Sequence, residues 1–170
     1  MDAPILHGEH VVLRKMTEPD VARVGEIRAL PEVARWFIAR TDEYLATKLA
    51  RDDLACWVIE LEGGAIGFVQ AYEHTSPEYR HAGLDLFLDP AFHGRGLGQD
   101  TVRTVARYLL EERGHHRLVI DPDAANTRAI HCYEAVGFRR VGVLRSYWWD
   151  HLEERWSDGL LLDLLADELT

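Results

Sequence analysis

Apolar and polar positions along this chain switch repeatedly between a period of two and a period near 3.6, with no linker between the stretches. Val11, Val12 and Leu13 form a short β-branched run that predicts a first strand. Thr17-Glu18-Pro19-Asp20 combines an N-cap, an early proline and acidic residues, which together predict a helix start. Pro31 breaks that helix. A second helical stretch runs through Trp36 and resumes from about Asp42 to Ala50. Residues 56–62 and 65–72 read as strands joined by a hairpin at Gly63-Gly64. In residues 82–88, Leu84, Leu86 and Leu88 fall on one face, Asp85 and Phe87 on the other.

A glycine-rich turn follows, Asp89-Pro90-Ala91-Phe92-His93-Gly94-Arg95-Gly96-Leu97-Gly98. It runs into a helix with an apolar stripe of Val102, Val105, Ala106, Leu109 and Leu110. Residues 118–120 predict a short strand, Asp121-Pro122-Asp123 a turn, and 127–136 another helix with Gly137 as its C′ residue. Residues 138–144 and 160–165 predict two last strands. The pattern as a whole predicts an open mixed sheet with helices around it, in one α/β domain over residues 1–170.

Composition narrows the function. Hydrophobic residues make up 47% of the chain and the mean hydropathy is −0.21, which predicts a folded protein. Nineteen Lys and Arg against 29 Asp and Glu leave a net charge of −10. A nucleic-acid binder needs a clustered positive excess, so none is expected as a partner, and cationic partners suit the balance better. Cys56 and Cys132 lie far apart, and the nine histidines include the pair His115-His116 but no HExxH. Neither a disulfide framework nor a metal site is expected. No apolar run reaches the roughly 20 residues of a membrane span. The opening Met1-Asp2-Ala3-Pro4 has no leader pattern, so the expected location is cytoplasmic, with no membrane partner.

Two segments carry chemistry. His93-Gly94-Arg95-Gly96-Leu97-Gly98 sits at a strand-to-helix junction, where three glycines let the backbone approach a ligand. The helix that follows offers free N–H groups and the positive end of its dipole, which suits a pyrophosphate. It is not a Walker loop, because no Lys-Ser/Thr follows Gly98, and it lacks GxGxxG spacing. The second segment runs from Asn126 through Tyr133 to Gly137-Phe138. Asn126 and Tyr133 are two helical turns apart and can face one ligand, although an amphipathic helix with Ile130, Tyr133 and Val136 in the core gives the same pattern.

Together, the glycine-rich turn followed by N-x-x-A-x-x-x-Y-x-x-x-G-F resembles the GNAT acetyltransferases, a coenzyme A-dependent family. The likeness extends to the hairpin at 65–72 and to Val12-Leu13-Arg14, most of the chain. It implies a mixed, mostly antiparallel sheet of about six to seven strands flanked by about four helices. It also implies acetyl-CoA as co-substrate, held by Phe87, Leu88, His93, Gly94, Arg95, Gly96, Leu97, Gly98, Gln99, Asn126, Ala129 and Cys132. The family usually has Gln or Arg where His93 stands. A narrower resemblance is to the aminoglycoside 6′-N-acetyltransferases, through Gly83-Leu84-Asp85, Gln70-Ala71-Tyr72, Asp121-Pro122 and Trp36. The segment 73–81 is short for those enzymes.

The resemblance implies transfer of an acetyl group to a primary amine, an aminoglycoside or another small polycation, by a monomer or homodimer. Asp85 would take the proton from the acceptor ammonium and Tyr133 would give one to the departing thiolate. Trp36, Gln70, Tyr72 and Asp121 would line the acceptor side. Two other readings stay open: acetylation of a protein N-terminus, lysine or polyamine, and an acyl-CoA sensor without turnover. Tyr147-Trp148-Trp149 reads either as a dimer surface or as a pocket wall.

Overall fold

The computed structural model of the chain describes residues 1–37 and 42–170. The first part carries the short strands β1 (Leu6–His7) and β2 (Val12–Lys15), then the helices α1 (Val21–Ala29), α2 (Pro31–Ala34) and α3 (Asp42–Leu49). A meander follows: β3 (Leu54–Leu61), β4 (Gly64–His74) and β5 (His81–Leu88). Then come α4 (Leu97–Arg107), β6 (Arg117–Ile120), α5 (Thr127–Glu134), β7 (Arg139–Asp150) and β8 (Arg155–Leu165). One sheet results, in the order β1-β2-β3-β4-β5-β6-β8-β7. Every neighbouring pair is antiparallel except β5 and β6, which are parallel.

Eight strands and five α-helices among the described residues slightly exceed the expected count. The added strand is β1, too short for any alternation to show, and the second helical stretch expected after Pro31 counts as two helices, α2 and α3. The last hairpin is also longer than its apolar runs suggest. Residues 145–156 are mostly exposed on both faces, so no alternation marks them as strand. Pairs such as Trp149 with Trp156 and Asp150 with Arg155 hold them together.

Local chemistry explains the element boundaries. Before α1, the Thr17 N–H donates to Asp20 at 2.8 Å, and a 3₁₀ turn over Glu18–Asp20 precedes the α-helix. Arg14 grips both Asp20 oxygens at 2.8 and 2.9 Å and reaches Glu60 at 2.9 Å, tying helix start to sheet. The β3–β4 turn is Glu62-Gly63 and not Gly63-Gly64: both have positive φ (52° and 80°), and Gly64 already pairs with Leu61. Such a turn matches the twist of its flanking strands. After α5, Phe138 N–H reaches the Tyr133 carbonyl at 3.2 Å and Gly137 N–H reaches Glu134 at 3.1 Å. With Gly137 at φ 114°, this is the Schellman closure expected of a C′ glycine.

The sheet has a core on each face. Against α4 and α5 pack Leu84, Leu86 and Leu88 with Val102, Val105 and Leu109. Against α1 and α3 pack Phe68 and Phe87 with Val24, Ile27 and Leu45. The alternation along β5 therefore serves both cores, as its sequence predicts. Burying each such side chain stabilises the fold by about 1.5–3 kcal/mol before entropy is counted. Among the described residues no helix is long and apolar enough to cross a membrane.

Candidate active site

The site begins where the one parallel pair comes apart. β5 and β6 pair only at Ala82 with Leu118 and Gly83 with Val119. β6 ends at Ile120 and Asp121-Pro122 turns away, leaving Leu84 to Leu88 open on that side. The Asp89 N–H bonds the Ile66 carbonyl at 2.8 Å, so the odd-numbered N–H groups of β5 face β4. By alternation, those of Leu86 and Leu88 face the opening. Two cavities meet there, of about 620 and 250 Å³, sharing Trp36, Phe37 and Phe87 as walls.

The larger cavity runs along the glycine-rich turn. Gly94 (φ 73°) and Gly96 (φ 77°) are both left-handed, and a Cβ on either would meet nothing within 4 Å. Glycine is there for conformation and not for lack of room. Gly98 is different, because its added Cβ would lie 3.3 Å from Cys132 Sγ, where α4 and α5 approach closely. The first intrahelical bond of α4 runs from Asp100 N–H to the Gly96 carbonyl at 3.0 Å, so the N–H groups of Leu97, Gly98 and Gln99 precede it. Buried Asp100 accepts three backbone N–H groups, from Glu9, His10 and Val11 at 2.9, 2.7 and 3.0 Å. That anchors the first turn of α4 to the β1–β2 loop.

The expected cofactor residues converge on this cavity: Phe87, Leu88, His93, Gly94, Gly96, Leu97, Gly98, Gln99, Asn126, Ala129 and Cys132 all line it. Arg95 does not; it is exposed, with its guanidinium 5.6 Å from the Phe92 ring. The His93 ring is turned to the Leu88 carbonyl at 3.1 Å, and burial, helped by Arg128, holds its pKa below the usual imidazole range. Asn126 caps α5, accepting the Ala129 N–H at 3.2 Å. Burial pushes the Cys132 thiol up to about 11, so it stays protonated at neutral pH. Arg128 and His131 also line the cavity, and no motif pointed to them.

Tyr133 lies on the same cavity, buried in α5, and its hydroxyl has no hydrogen-bond partner among the described residues. Burial raises its pKa, and nearby Cys132, Asp85 and Asp121 add to the rise, so the phenol keeps its proton.

Asp85 lines the smaller cavity. Burial raises its pKa, and the charge of Asp121 adds to that; the Gln70 hydrogen bond, Lys48 and Arg28 oppose it. Trp36 and Gln70 line the same cavity, but Gln70 is committed to Asp85 at 3.0 Å and to Lys48 at 2.7 Å. Tyr72 and Asp121 are near Asp85 without lining the cavity. The Tyr72 ring fills the space that a Cβ on Gly83 would take, and burial lifts its pKa to about 12. Asp121 accepts a hydrogen bond from the Tyr147 hydroxyl.

Sequence reasoning missed half of this cavity: Arg28, Phe37, Tyr44, Lys48 and Phe68. These come from α1, the α2 end, α3 and β4, with no motif joining them. The Tyr147-Trp148-Trp149 cluster divides between roles. Trp148 walls the cavity and bonds Asp123 at 3.1 Å, while Trp149 stacks edge-on against Trp156 at the exposed hairpin. Among the described residues no group of three His, Cys, Asp or Glu could hold a metal ion.

Comparison with known proteins places this architecture. The acetyltransferase (GNAT) domain profile matches residues 10–139. An aminoglycoside N(6′)-acetyltransferase type 1 of Klebsiella pneumoniae is 31% identical over 157 residues, 80% of this chain and 77% of that protein. The structure of AAC(6′)-Ib in complex with parmomycin and acetyl-CoA is 25% identical with a TM-score of 0.77, covering 94% of this chain and 96% of that one. A GNAT-family acetyltransferase from Bacillus anthracis shares the fold at TM-score 0.82 and 17% identity, over 97% of this chain and all of that one. A parallel pair splayed beside a glycine-rich helix start, with a domain profile spanning most of the chain, has one reading: this chain belongs to the GNAT acetyltransferase family.

Proposed function

We propose that this chain transfers the acetyl group of acetyl-CoA to a primary amine of a small polycation, an aminoglycoside being the first candidate. The observation that carries the reading is the meeting of two cavities at the β5–β6 opening, with Tyr133 in one and Asp85 in the other. The relatives and structures that act on or hold aminoglycosides support the choice of acceptor.

The backbone of the larger cavity suits coenzyme A. Left-handed Gly94 and Gly96 and the free N–H groups of Leu97, Gly98 and Gln99 are a cradle for the pyrophosphate, with the α4 dipole adding to it. Arg128 at the cavity wall adds positive charge. When bound, acetyl-CoA supplies the acetyl group as a reactive thioester at the opening. The Leu86 and Leu88 N–H groups face that point and would stabilise negative charge developing on the acyl oxygen. Asp85 would take a proton from the acceptor ammonium, for which a carboxylate of raised pKa is better matched than an ordinary one. Tyr133, kept protonated by burial, would give its phenolic proton to the leaving sulfur.

Arg28 and Lys48 line the smaller cavity along with Asp85, so it is not uniformly acidic. The reacting amine would sit against Asp85 between Trp36, Phe87 and Trp148. The remaining cations of the acceptor would extend along Trp148 toward Asp121 and Asp123. A thiol-release assay with kanamycin, spermidine and a lysine peptide, with mass analysis of the products, tests this. Acetylated kanamycin as the preferred product is expected. Preference for the peptide or spermidine would replace the acceptor, and acetyl-CoA binding with no thiol release on any amine would leave only a sensor.

A further inference from the structure

Lys48 lies in the last turn of α3, across the smaller cavity from Asp85. Its ammonium donates to Gln70 Oε1 at 2.7 Å and sits 5.1 Å from the centroid of the Tyr44 ring. Gln70 donates in turn from Nε2 to Asp85 Oδ2 at 3.0 Å. The two ends of a glutamine amide, one acceptor and one donor, exchange places by a half-turn about the last bond. An ammonium only donates, so beside Lys48 the oxygen end must face α3 and the nitrogen end Asp85. Reversed, Gln70 would set an oxygen against a carboxylate oxygen and leave both without a proton between them.

We infer that Lys48 is a positioning residue: it holds the Gln70 amide in the orientation that donates to Asp85 Oδ2, leaving Oδ1 as the oxygen that receives the acceptor's proton. The inference rests on Asp85 as the proton acceptor proposed above. It assigns Gln70, expected to contact the substrate, to the middle of a relay of two hydrogen bonds, the first spanning 22 residues of chain and the second 15. Several groups face Asp85: Lys48 from α3, Arg28 from α1, Tyr72 from β4, Asp121 after β6, Tyr133 from α5 and Tyr147 from β7. Of these Lys48 and Arg28 favour the carboxylate and Asp121 opposes it. Removing the Lys48 charge therefore lets Asp85 hold its proton to a higher pH, and freeing Gln70 adds to the effect.

The test compares Lys48→Met, which keeps the length of the stem, with Lys48→Arg, whose guanidinium also only donates. Carbon-13 NMR titration of the aspartate carboxyls in the free full-length protein reads Asp85 without any acceptor. Kinetics with acetyl-CoA and kanamycin across pH read the consequence. In Lys48→Met the Asp85 midpoint should rise by about one pH unit, the size of shift a single nearby charge produces. The acid limb of kcat/KM should move up with it, the rate below both midpoints falling about tenfold at a fixed pH, and the acetyl-CoA KM should hold. Lys48→Arg should recover most of the loss. An unmoved Asp85 midpoint in a folded Lys48→Met protein overturns the inference, as does Lys48→Arg behaving like Lys48→Met. A moved midpoint in a protein that acetylates no amine would uphold the relay and sink the acetyl-transfer reading instead.

Discussion

Valine at Gly96 isolates what the backbone of the turn contributes. Gly96 has φ 77° and ψ −6°, and a Cβ there would meet nothing within 4 Å, so steric contact with neighbours plays no part. The left-handed conformation alone costs an L residue about 1–2 kcal/mol, and more when it is β-branched. The turn must relax, and relaxation rotates the N–H groups that follow. Each hydrogen bond to a charged phosphate group is worth about 1.5–3 kcal/mol. Losing one or two, at a factor of ten per 1.4 kcal/mol, raises the acetyl-CoA KM on the order of tenfold to ten-thousandfold. Gly63 is the matched control: φ 80°, nothing within 4 Å of its Cβ, and placed in the β3–β4 turn away from both cavities. Gly63→Val should lose about as much stability and keep its KM. The assay is thiol release against acetyl-CoA concentration, with a thermal melt of each variant. If both variants lose stability and Gly96→Val keeps the wild-type KM, the turn is only a turn.

Tyr133→Phe removes a hydroxyl with no hydrogen-bond partner among the described residues, so Tm should stay within a few degrees while kcat falls about 10²–10⁴-fold. A kcat within twofold of wild type would make Tyr133 a packing residue. Asp121→Asn should raise the KM of a polycationic acceptor several-fold in low salt, with the gap closing as salt rises, and leave the acetyl-CoA KM alone. Asp85→Asn should instead lower kcat, and the wild-type rate should climb with pH through an Asp85 midpoint above the usual carboxylate range. Asp20 is held at about 2, chiefly by its hydrogen bonds from Arg14, against an ordinary 3.8. A depressed carboxylate stabilises the fold above pH 4 and loses that contribution as pH falls toward 2. Arg14→Met should cost about 1–2 kcal/mol in urea melts at pH 7 and flatten the stability curve over that acid range.

The readable part of the site is the part whose geometry is local. Period-two alternation set Asp85 and Phe87 on one face of β5, because side chains alternate wherever a strand forms. The glycine-rich turn needed no tertiary information, since Gly94 and Gly96 report a backbone conformation that other residues resist. The Asn126–Tyr133 spacing likewise places both on one cavity, although Asn126 also spends its side-chain oxygen capping α5. Less could be read of the smaller cavity. Gln70 reads from sequence as a substrate contact and does line the smaller cavity, but its sequence neighbourhood says nothing of Lys48, which reaches it from α3.

Sequence alone determined the two faces of β5, the order of elements from β2 through α5, the turn that precedes α4 and the identity of the residues along it. Each depends on hydrophobic period, a cap or an obligatory glycine, and those act within a few residues of chain. Tertiary structure decided that β6 leaves β5 after two pairs, which opens the slot where the cavities meet. It also brought Arg28, Tyr44 and Lys48 to the smaller cavity and extended the last hairpin so that Trp148 lines it and Tyr147 engages Asp121. These contacts join residues 22 to more than 100 positions apart, and packing of helices against a twisted sheet sets them. No single stretch of chain carries the information that Lys48 of α3 will reach Gln70 of β4.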